Sequence, residues 1–317
     1  MSLMRPSRPD VSPTFLRSTL NPILTSDDMP MVANSVFNPG ATTLRDGRIG
    51  LLLRVEDQRG LSSVHLARSG DGASDWEIDK SPLLEPDGNQ ELWEWGFEDP
   101  RVVFVQELDR YVITCTAYGP PGACVYLAIS EDLINIEHGA VVMPPEDKNA
   151  ALFPHRIDNQ WLLLHRPVAM TGADIWLSRS DDLHSWRLPK RMILCRERGW
   201  WDAARIGVGP PPIETDEGWI QLYHGVRVTT AGAIYRVGAA LLDLHEPWVV
   251  RRQLSRWLLS PTEPYERTGD VGNVVFPCGA IQRRDAQEID IYYGAADTTV
   301  CMATISEPDL LAALLAS

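Results

Sequence analysis

Five times along the chain a strand-like run ends in a small residue and passes into a Ser-rich or acidic turn. The instances are Leu66-Ala67-Arg68-Ser69-Gly70-Asp71, Leu127-Ala128-Ile129-Ser130-Glu131-Asp132, Leu177-Ser178-Arg179-Ser180-Asp181-Asp182, Ala239-Ala240-Leu241-Leu242-Asp243 and Met302-Ala303-Thr304-Ile305-Ser306-Glu307. Their spacing of about 50 to 60 residues is near the length of one four-stranded propeller blade. Two of the turns carry a tryptophan downstream, Trp76 and Trp186. Such a repeat is restrictive, because each unit can bury its apolar faces only against its neighbours. Between the repeats lie short alternating or apolar runs such as Ile49-Arg54, Val102-Val105, Tyr111-Thr116, Trp161-His165, Trp219-Tyr223 and Ile289-Tyr293. Gly, Asp, Asn and Pro separate them, which predicts an all-β chain. Only Glu307–Ala316 reads as a helix, with Ser306 as its N-cap. The expectation is a five-bladed β-propeller over residues 34–306, a short N-terminal extension (1–33) and a C-terminal helix (307–317). A pair of β-sandwiches is the alternative, and it leaves the repeat unexplained.

With 317 residues, 44% of them apolar, the chain can build one large core or two ordinary ones. The formal charge of −14 and the lack of long Lys/Arg runs argue against nucleic acid as a partner. No apolar run approaches the roughly 20 residues needed to span a bilayer, and residues 1–10 lack the apolar stretch of a secretory signal. The cysteines (Cys115, Cys124, Cys195, Cys278, Cys301) are odd in number and form no CxxC pair. A metal cluster and a disulfide framework are therefore poorly supported, and a reducing, cytoplasmic setting is expected. No cofactor or metal is implied. The N-terminal segment and the C-terminal helix are natural elements for a homo-oligomeric contact, and neither sequence decides it. The 11 tryptophans could stack on sugar rings at a concave surface, although filling a β core is their commoner use.

Chemistry concentrates first in Gly96-Phe97-Glu98-Asp99-Pro100-Arg101, where two carboxylates and an arginine surround a proline at a strand mouth. Proline restricts the residue before it, so the direction of the Asp99 carboxylate should be fixed. The aromatic neighbours Trp93, Trp95 and Phe97 suggest a partly desolvated acid with a raised pKa, as a general acid at neutral pH requires. A turn with a surface ion pair to Arg101 explains the same residues. In a propeller, polar residues at the inner-strand mouths converge on a central funnel, so a site can be built from distant segments.

The segments that would converge carry a family pattern. They are Glu98-Asp99-Pro100-Arg101, Asn149-Ala150-Ala151-Leu152-Phe153-Pro154, His165-Arg166-Pro167, Gly209-Pro210-Pro211-Pro212-Ile213, Tyr223-His224-Gly225-Val226, Asn273-Val274-Val275-Phe276-Pro277 and Tyr293-Gly294-Ala295-Ala296-Asp297. In this order the chain resembles glycoside hydrolase family 130, the β-mannoside phosphorylases and β-mannosidases. The resemblance implies a five-bladed propeller and cleavage of β-linked mannosides, hence manno-oligosaccharide substrates, with inversion. It gives Asp99 the role of general acid, passing its proton through a sugar hydroxyl. It places Asn38, Arg54, Arg59 and Asp297 around the mannosyl unit, with Arg101, Tyr223, His224 and Phe276 as further substrate contacts. Turn capping by Asn38 and Asp297, and a solvated strand face for Arg54 and Arg59, are the readings without it.

The resemblance also implies a cationic phosphate site in the phosphorylases, matched here by Lys148 and Arg166, which in a hydrolase would orient a base instead. The lysine that usually follows Pro-Pro-Pro-Ile is replaced by Glu214. A carboxylate about 4 Å from a phosphate oxygen costs on the order of 4 kcal/mol at an effective dielectric near 20. An inverting hydrolase needs a carboxylate base roughly 6.5–9.5 Å from its acid, and Glu214 suits that role, with Glu263 or Glu266 in support. A solvent-exposed loop residue is the plainer reading of Glu214. The sequence thus favours an inverting, exo-acting β-mannosidase on short manno-oligosaccharides, with β-1,2 linkages a candidate. A phosphorylase that uses inorganic phosphate as co-substrate and yields mannose 1-phosphate is the alternative. A non-catalytic carbohydrate-binding propeller is a third reading.

Overall fold

A computed structural model describes residues 13–168, 173–197 and 199–317, so the first 12 residues of the expected extension 1–33 lie outside the described residues. Five antiparallel blades form a ring. The first comprises Ser35–Thr43, Ile49–Glu56 and Ser62–Ser69, with Glu77–Ile78 at its outer edge. Next come Gly96–Val105, Arg110–Gly119, Gly122–Ser130 and His138–Met143. The third holds Asp147–Leu152, Trp161–Pro167, Ile175–Ser180 and Arg187–Ile193. The fourth holds Arg205–Val208, Gly218–Thr229, Gly232–Leu242 and Val250–Gln253, with Ile213–Thr215 beside Gly218–Thr229. The fifth is Val275–Arg283, Glu288–Ala295 and Thr299–Ser306.

The fifth blade takes its outer strand from the other end of the chain. Leu16–Arg17 pairs with Ala303 and Thr304, and Asn21 exchanges two hydrogen bonds with Met302. Residues 16–17 of the expected extension are thus a strand of the propeller, which a two-residue strand is too short to announce in sequence. Glu266, buried, accepts from Arg17 at 2.8 and 2.9 Å and from the Tyr293 hydroxyl at 2.9 Å, which fixes the closure. Its expected support of Glu214 is thereby replaced by a structural role, and Glu263 caps the short helix beside it.

Five apolar clusters lie between successive blades around the ring. Leu51, Leu52 and Leu53 show why the strands read as continuous apolar runs. Leu52 joins the cluster toward blade two, while Leu51 and Leu53 join the one toward blade five, as alternation along a strand dictates. Each such side chain, fully buried, contributes about 1.5–3 kcal/mol. The sequence repeat is the end of the third strand of every blade. In blades one to three a Ser hydroxyl bonds to an Asp two residues on, at 2.8, 3.3 and 3.0 Å. In blade four Asp243 caps the turn alone, and in blade five Ser306 caps the C-terminal helix by accepting from the Asp309 N–H.

The inner strands are irregular where they matter. Register shifts fall at Phe37/Gly40, Glu98/Arg101 and Lys148/Ala151. Asn38, Asp99 and Asn149 occupy these bulges with φ of 47°, 50° and 53°. Left-handed backbone is tolerated by Asn and Asp, whose short polar side chains bond locally, and a bulge re-aims the side chain it carries. Three successive blades use the same device to turn a polar group toward the axis. No helix among the described residues is long and apolar enough to cross a membrane.

Candidate functional site

Two separate pockets lie at the two ends of the inner strands. At the N-terminal ends of the inner strands is a pocket of about 290 Å³ lined by Asn38, Arg54, Glu98, Asp99, Lys148, Asn149, Arg166, Arg205, His224, Tyr235, Phe276 and Asp297, among others. At their C-terminal ends is a separate groove of about 640 Å³ that includes Thr43, Phe104, His155 and Glu214.

Blades five, one and two supply the acidic wall of the first pocket. Asp99 accepts from Asn38 Nδ2 at 2.8 Å and from Arg54 Nη1 at 2.9 Å on the same oxygen. Arg54 also donates to Glu98 at 3.1 Å and to Glu56 at 2.5 Å, and its guanidinium lies over the Phe37 ring. Burial pushes the Asp99 carboxyl up, but Arg54, Arg101, Lys148 and the Asn38 bond together outweigh it and hold the group down at about 2. The expected raised pKa is thus corrected. Phe97 and Trp93 pack on Tyr126 and Trp95 on Tyr118, leaving arginine as the neighbour of the acid. Asp297 shows the opposite behaviour: burial and the adjacent Asp99 charge push it up to about 7.

Blades three and four supply a cationic wall. Arg166 donates through Nε and Nη2 to Asn149 Oδ1, both at 3.1 Å, and Arg205 donates to the Tyr235 hydroxyl. Burial and the Arg205 charge push Arg166 below its ordinary value. Burial and the charges of Arg166 and Arg101 keep His224 well below the usual imidazole range, hence neutral. Its ring stacks 4.3 Å from that of Phe276. His224 Nδ1 and Asn149 Nδ2 are buried without a protein partner. Behind this wall, buried His165 bridges Asp147 at 2.6 Å and Ser178 at 2.9 Å, bracing the strands that carry Lys148 and Arg166. Clustered cations, Arg166 buried and Lys148 and Arg205 half-buried, with no carboxylate on this side of the pocket lining, can hold an anion.

The structure therefore brings together Asp99, Asn38, Arg54, Asp297, His224, Phe276, Lys148 and Arg166, and leaves four expected residues elsewhere. Glu214 pairs with Trp219, whereas His224 on the same strand pairs with Gly207, so the two lie about 17 Å apart at 3.3 Å per residue. The triple proline carries the chain past the inner strand to the opposite face, where Glu214 accepts from His155 Nε2 at 3.0 Å and is 41% exposed. It neither faces Asp99 nor opposes the anion site. Arg59 sits in the exposed turn after the second strand, clamped by Asp57 at 2.7 and 2.8 Å. Arg101 is buried beneath the pocket and spends its donors on the carbonyls of Asp99, Val208 and Gly209. Tyr223, next to His224 and so on the other face of the strand, bonds Asp202 and Gln253 in the core. Arg205 and Tyr235 escaped the sequence reading. The only signal for Arg205 was a basic residue opening an inner-strand run, as Lys148 does before Asn149.

Fold and charge layout leave the chemistry open, and comparison with known proteins supplies the class. The family model described as beta-1,4-mannooligosaccharide phosphorylase, glycoside hydrolase family 130, matches residues 14–315, and the chain belongs to that family. It is 34% identical over 314 residues to beta-1,4-mannooligosaccharide phosphorylase of Ruminococcus albus, covering 95% of this chain and 91% of that one. It is 38% identical over 251 residues to beta-1,2-mannobiose phosphorylase of Listeria innocua, covering 78% and 68%. A solved structure of a beta-1,2-mannobiose phosphorylase from Listeria innocua, in complex with beta-1,2-mannobiose, superposes with a TM-score of 0.86 at 29% identity, covering 96% and 99%. The chain is a glycoside phosphorylase-family enzyme.

Proposed function

We propose that this chain is an inverting β-mannoside phosphorylase, which transfers the terminal mannosyl unit of a short β-linked manno-oligosaccharide to inorganic phosphate and releases mannose 1-phosphate. The observation that carries this reading is the division of the funnel. The lining carboxylates Glu98, Asp99 and Asp297 belong to blades five and two, while Lys148, Arg166 and Arg205 belong to blades three and four. Inversion needs the acid and the incoming nucleophile on opposite faces of the sugar. A phosphate held by blades three and four meets C1 from the side away from Asp99. A hydrolase would need a carboxylate base on that side. The lining there offers only cations, His224, Asn149 and Tyr235, so the hydrolytic reading loses its base.

In the step itself the glycosidic C1–O bond breaks, a bond from C1 to a phosphate oxygen forms, and the leaving oxygen takes a proton. Asp99 enters ionised, with Asp297 beside it still holding a proton near neutral pH. Burial is the largest influence on both carboxyls. A sugar ring that displaces the remaining water strengthens that push on both, so the pair keeps its one proton, which passes through a sugar hydroxyl to the leaving oxygen and leaves both carboxyls ionised. Arg166 and Arg205 contribute forked donors and Lys148 a point charge to the phosphate. Incubation with β-1,2- and β-1,4-mannobiose, with and without phosphate, tests this. Mannose 1-phosphate formed only with phosphate is the expected product. Free mannose at an equal rate without phosphate refutes the reading.

A further inference from the structure

A pocket of about 290 Å³ lies at the lower end of the usual 300–1,000 Å³ for small-molecule sites. It suits one sugar ring and a phosphate, so the rest of an oligosaccharide must run outward over the rim. The proposed chemistry gives that run a direction. With phosphate on blades three and four, the leaving chain departs on the side of Asp99, over blades one and two. On that rim Trp95 and Tyr118 stand 37% and 38% exposed, their rings packed edge to face at 4.9 Å. An edge-to-face pair leaves a ring face uncovered. The platform is tied to the pocket through the backbone: the Ser62 N–H donates to Trp95 O at 3.1 Å, and Ser62 Oγ accepts from Arg54 Nε at 3.1 Å. The segment carrying it is fixed, since Trp95 N–H donates to Tyr118 O and a Cβ at Gly119 would meet Glu91 O at 2.0 Å. Trp95 precedes Asp99 by four residues, about 13 Å of extended chain before the bulge shortens it. That is too far for the ring attached directly to the scissile bond and suits one further out.

We infer that Trp95 and Tyr118 form a distal sugar-stacking subsite that holds the leaving-group end of manno-oligosaccharides longer than the disaccharide. The inference rests on the phosphorylase reading for its direction. Aromatic faces take up the C–H side of a sugar ring while its hydroxyls stay in water. The other exposed aromatic near the mouth, Trp200, belongs to the blade-four side and lies beneath the Arg196 guanidinium at 5.0 Å.

The test compares β-linked mannotriose with mannobiose in phosphorolysis by the wild type, Trp95→Ala, Trp95→Phe, Tyr118→Ala and Trp200→Ala. Calorimetric binding of mannotriose without phosphate is measured alongside. In Trp95→Ala the ratio of kcat/KM for mannotriose over mannobiose should fall about tenfold, near the upper end of what one aromatic contact contributes. Trp95→Phe should recover most of the loss, and mannotriose binding should weaken in parallel. An unchanged ratio with unchanged binding overturns the inference, as does a loss that appears in Trp200→Ala instead. Should Trp95→Ala fail to fold, Tyr118→Ala decides by the same ratio. If the wild type proves inert toward mannosides while Trp95→Ala still loses mannotriose binding, the phosphorylase reading fails and the subsite stands.

Discussion

Arg205 offers the sharpest test of the anion site, because nothing in the family pattern drew attention to it. It lines the pocket with Lys148 and Arg166, and its guanidinium is fixed by the Tyr235 hydroxyl. One unit charge about 4 Å from a phosphate oxygen is worth on the order of 4 kcal/mol at an effective dielectric near 20. Part of that returns on removal, since the Arg205 charge also burdens Arg166. Truncating one partner of a buried charge pair costs about 2–5 kcal/mol, and the relief of Arg166 places Arg205→Gln in the lower half, at about 2–3 kcal/mol. At 1.36 kcal/mol per tenfold, the KM for phosphate should rise about 30- to 150-fold. Initial rates of mannobiose phosphorolysis against phosphate concentration read this directly, and the reverse reaction should show a similar rise in KM for mannose 1-phosphate. The KM for mannobiose at saturating phosphate should move far less. Arg205→Lys should recover only part, because lysine lacks the fork. A change below threefold in the phosphate KM, with the fold intact by circular dichroism, would refute the assignment of the cationic wall.

Further outcomes follow from other contacts. Glu214→Gln should leave phosphorolysis within about threefold of wild type, since removing a half-exposed ion pair costs at most about 1 kcal/mol; a loss of orders of magnitude would return Glu214 to the chemistry. Asp99→Asn should abolish turnover and, by removing the neighbouring charge, draw the Asp297 midpoint down from about 7. Carboxyl-carbon NMR titration reads that midpoint, and an unmoved value would break the coupling. The Asp297 shift also sets a sign: its contribution to stability is full below the ordinary carboxylate value and is lost as pH rises through about 7. Urea midpoints for wild type and Asp297→Asn should therefore draw apart as pH rises from the ordinary carboxylate value to about 7 and keep a constant separation above it, with the variant the less pH-sensitive. Arg101→Met strands three carbonyls in a buried place and should cost about 3–5 kcal/mol in urea unfolding; a cost under 1 kcal/mol would deny its structural role.

The ring and its blade count were legible because the Ser-x-Asp turns recur at one structural position and because their chemistry is local. The C-terminal helix was legible for the same reason, with Ser306 capping it where expected. Inner strands were hard to see. Asn-Pro-Gly at 38–40 and Glu-Asp-Pro at 98–100 look like turns, yet they are bulges inside strands held by their neighbours. Most pocket residues were found through motif order, while their electrostatics were not. The Asp99 carboxyl was placed among its sequence neighbours, Trp93, Trp95 and Phe97, but its charge state is decided by Arg54, which lies 45 residues away. The Glu214 error has the same origin: adjacency to a family motif was read as adjacency to the site, and three prolines were enough to carry it to the other face.

The clasp of residues 16–17 onto 303–304 bears on how this protein comes into being. A ribosome delivers the last strand long after its partner, so the nascent ring waits with one seam unsealed and the faces of blade five unprotected. Joining ends this distant carries a chain-entropy cost of only about 5 kcal/mol, because that cost grows logarithmically with loop length. The interval of exposure, rather than the entropy of sealing, is then the hazard, as for any folding intermediate with unpaired strand edges.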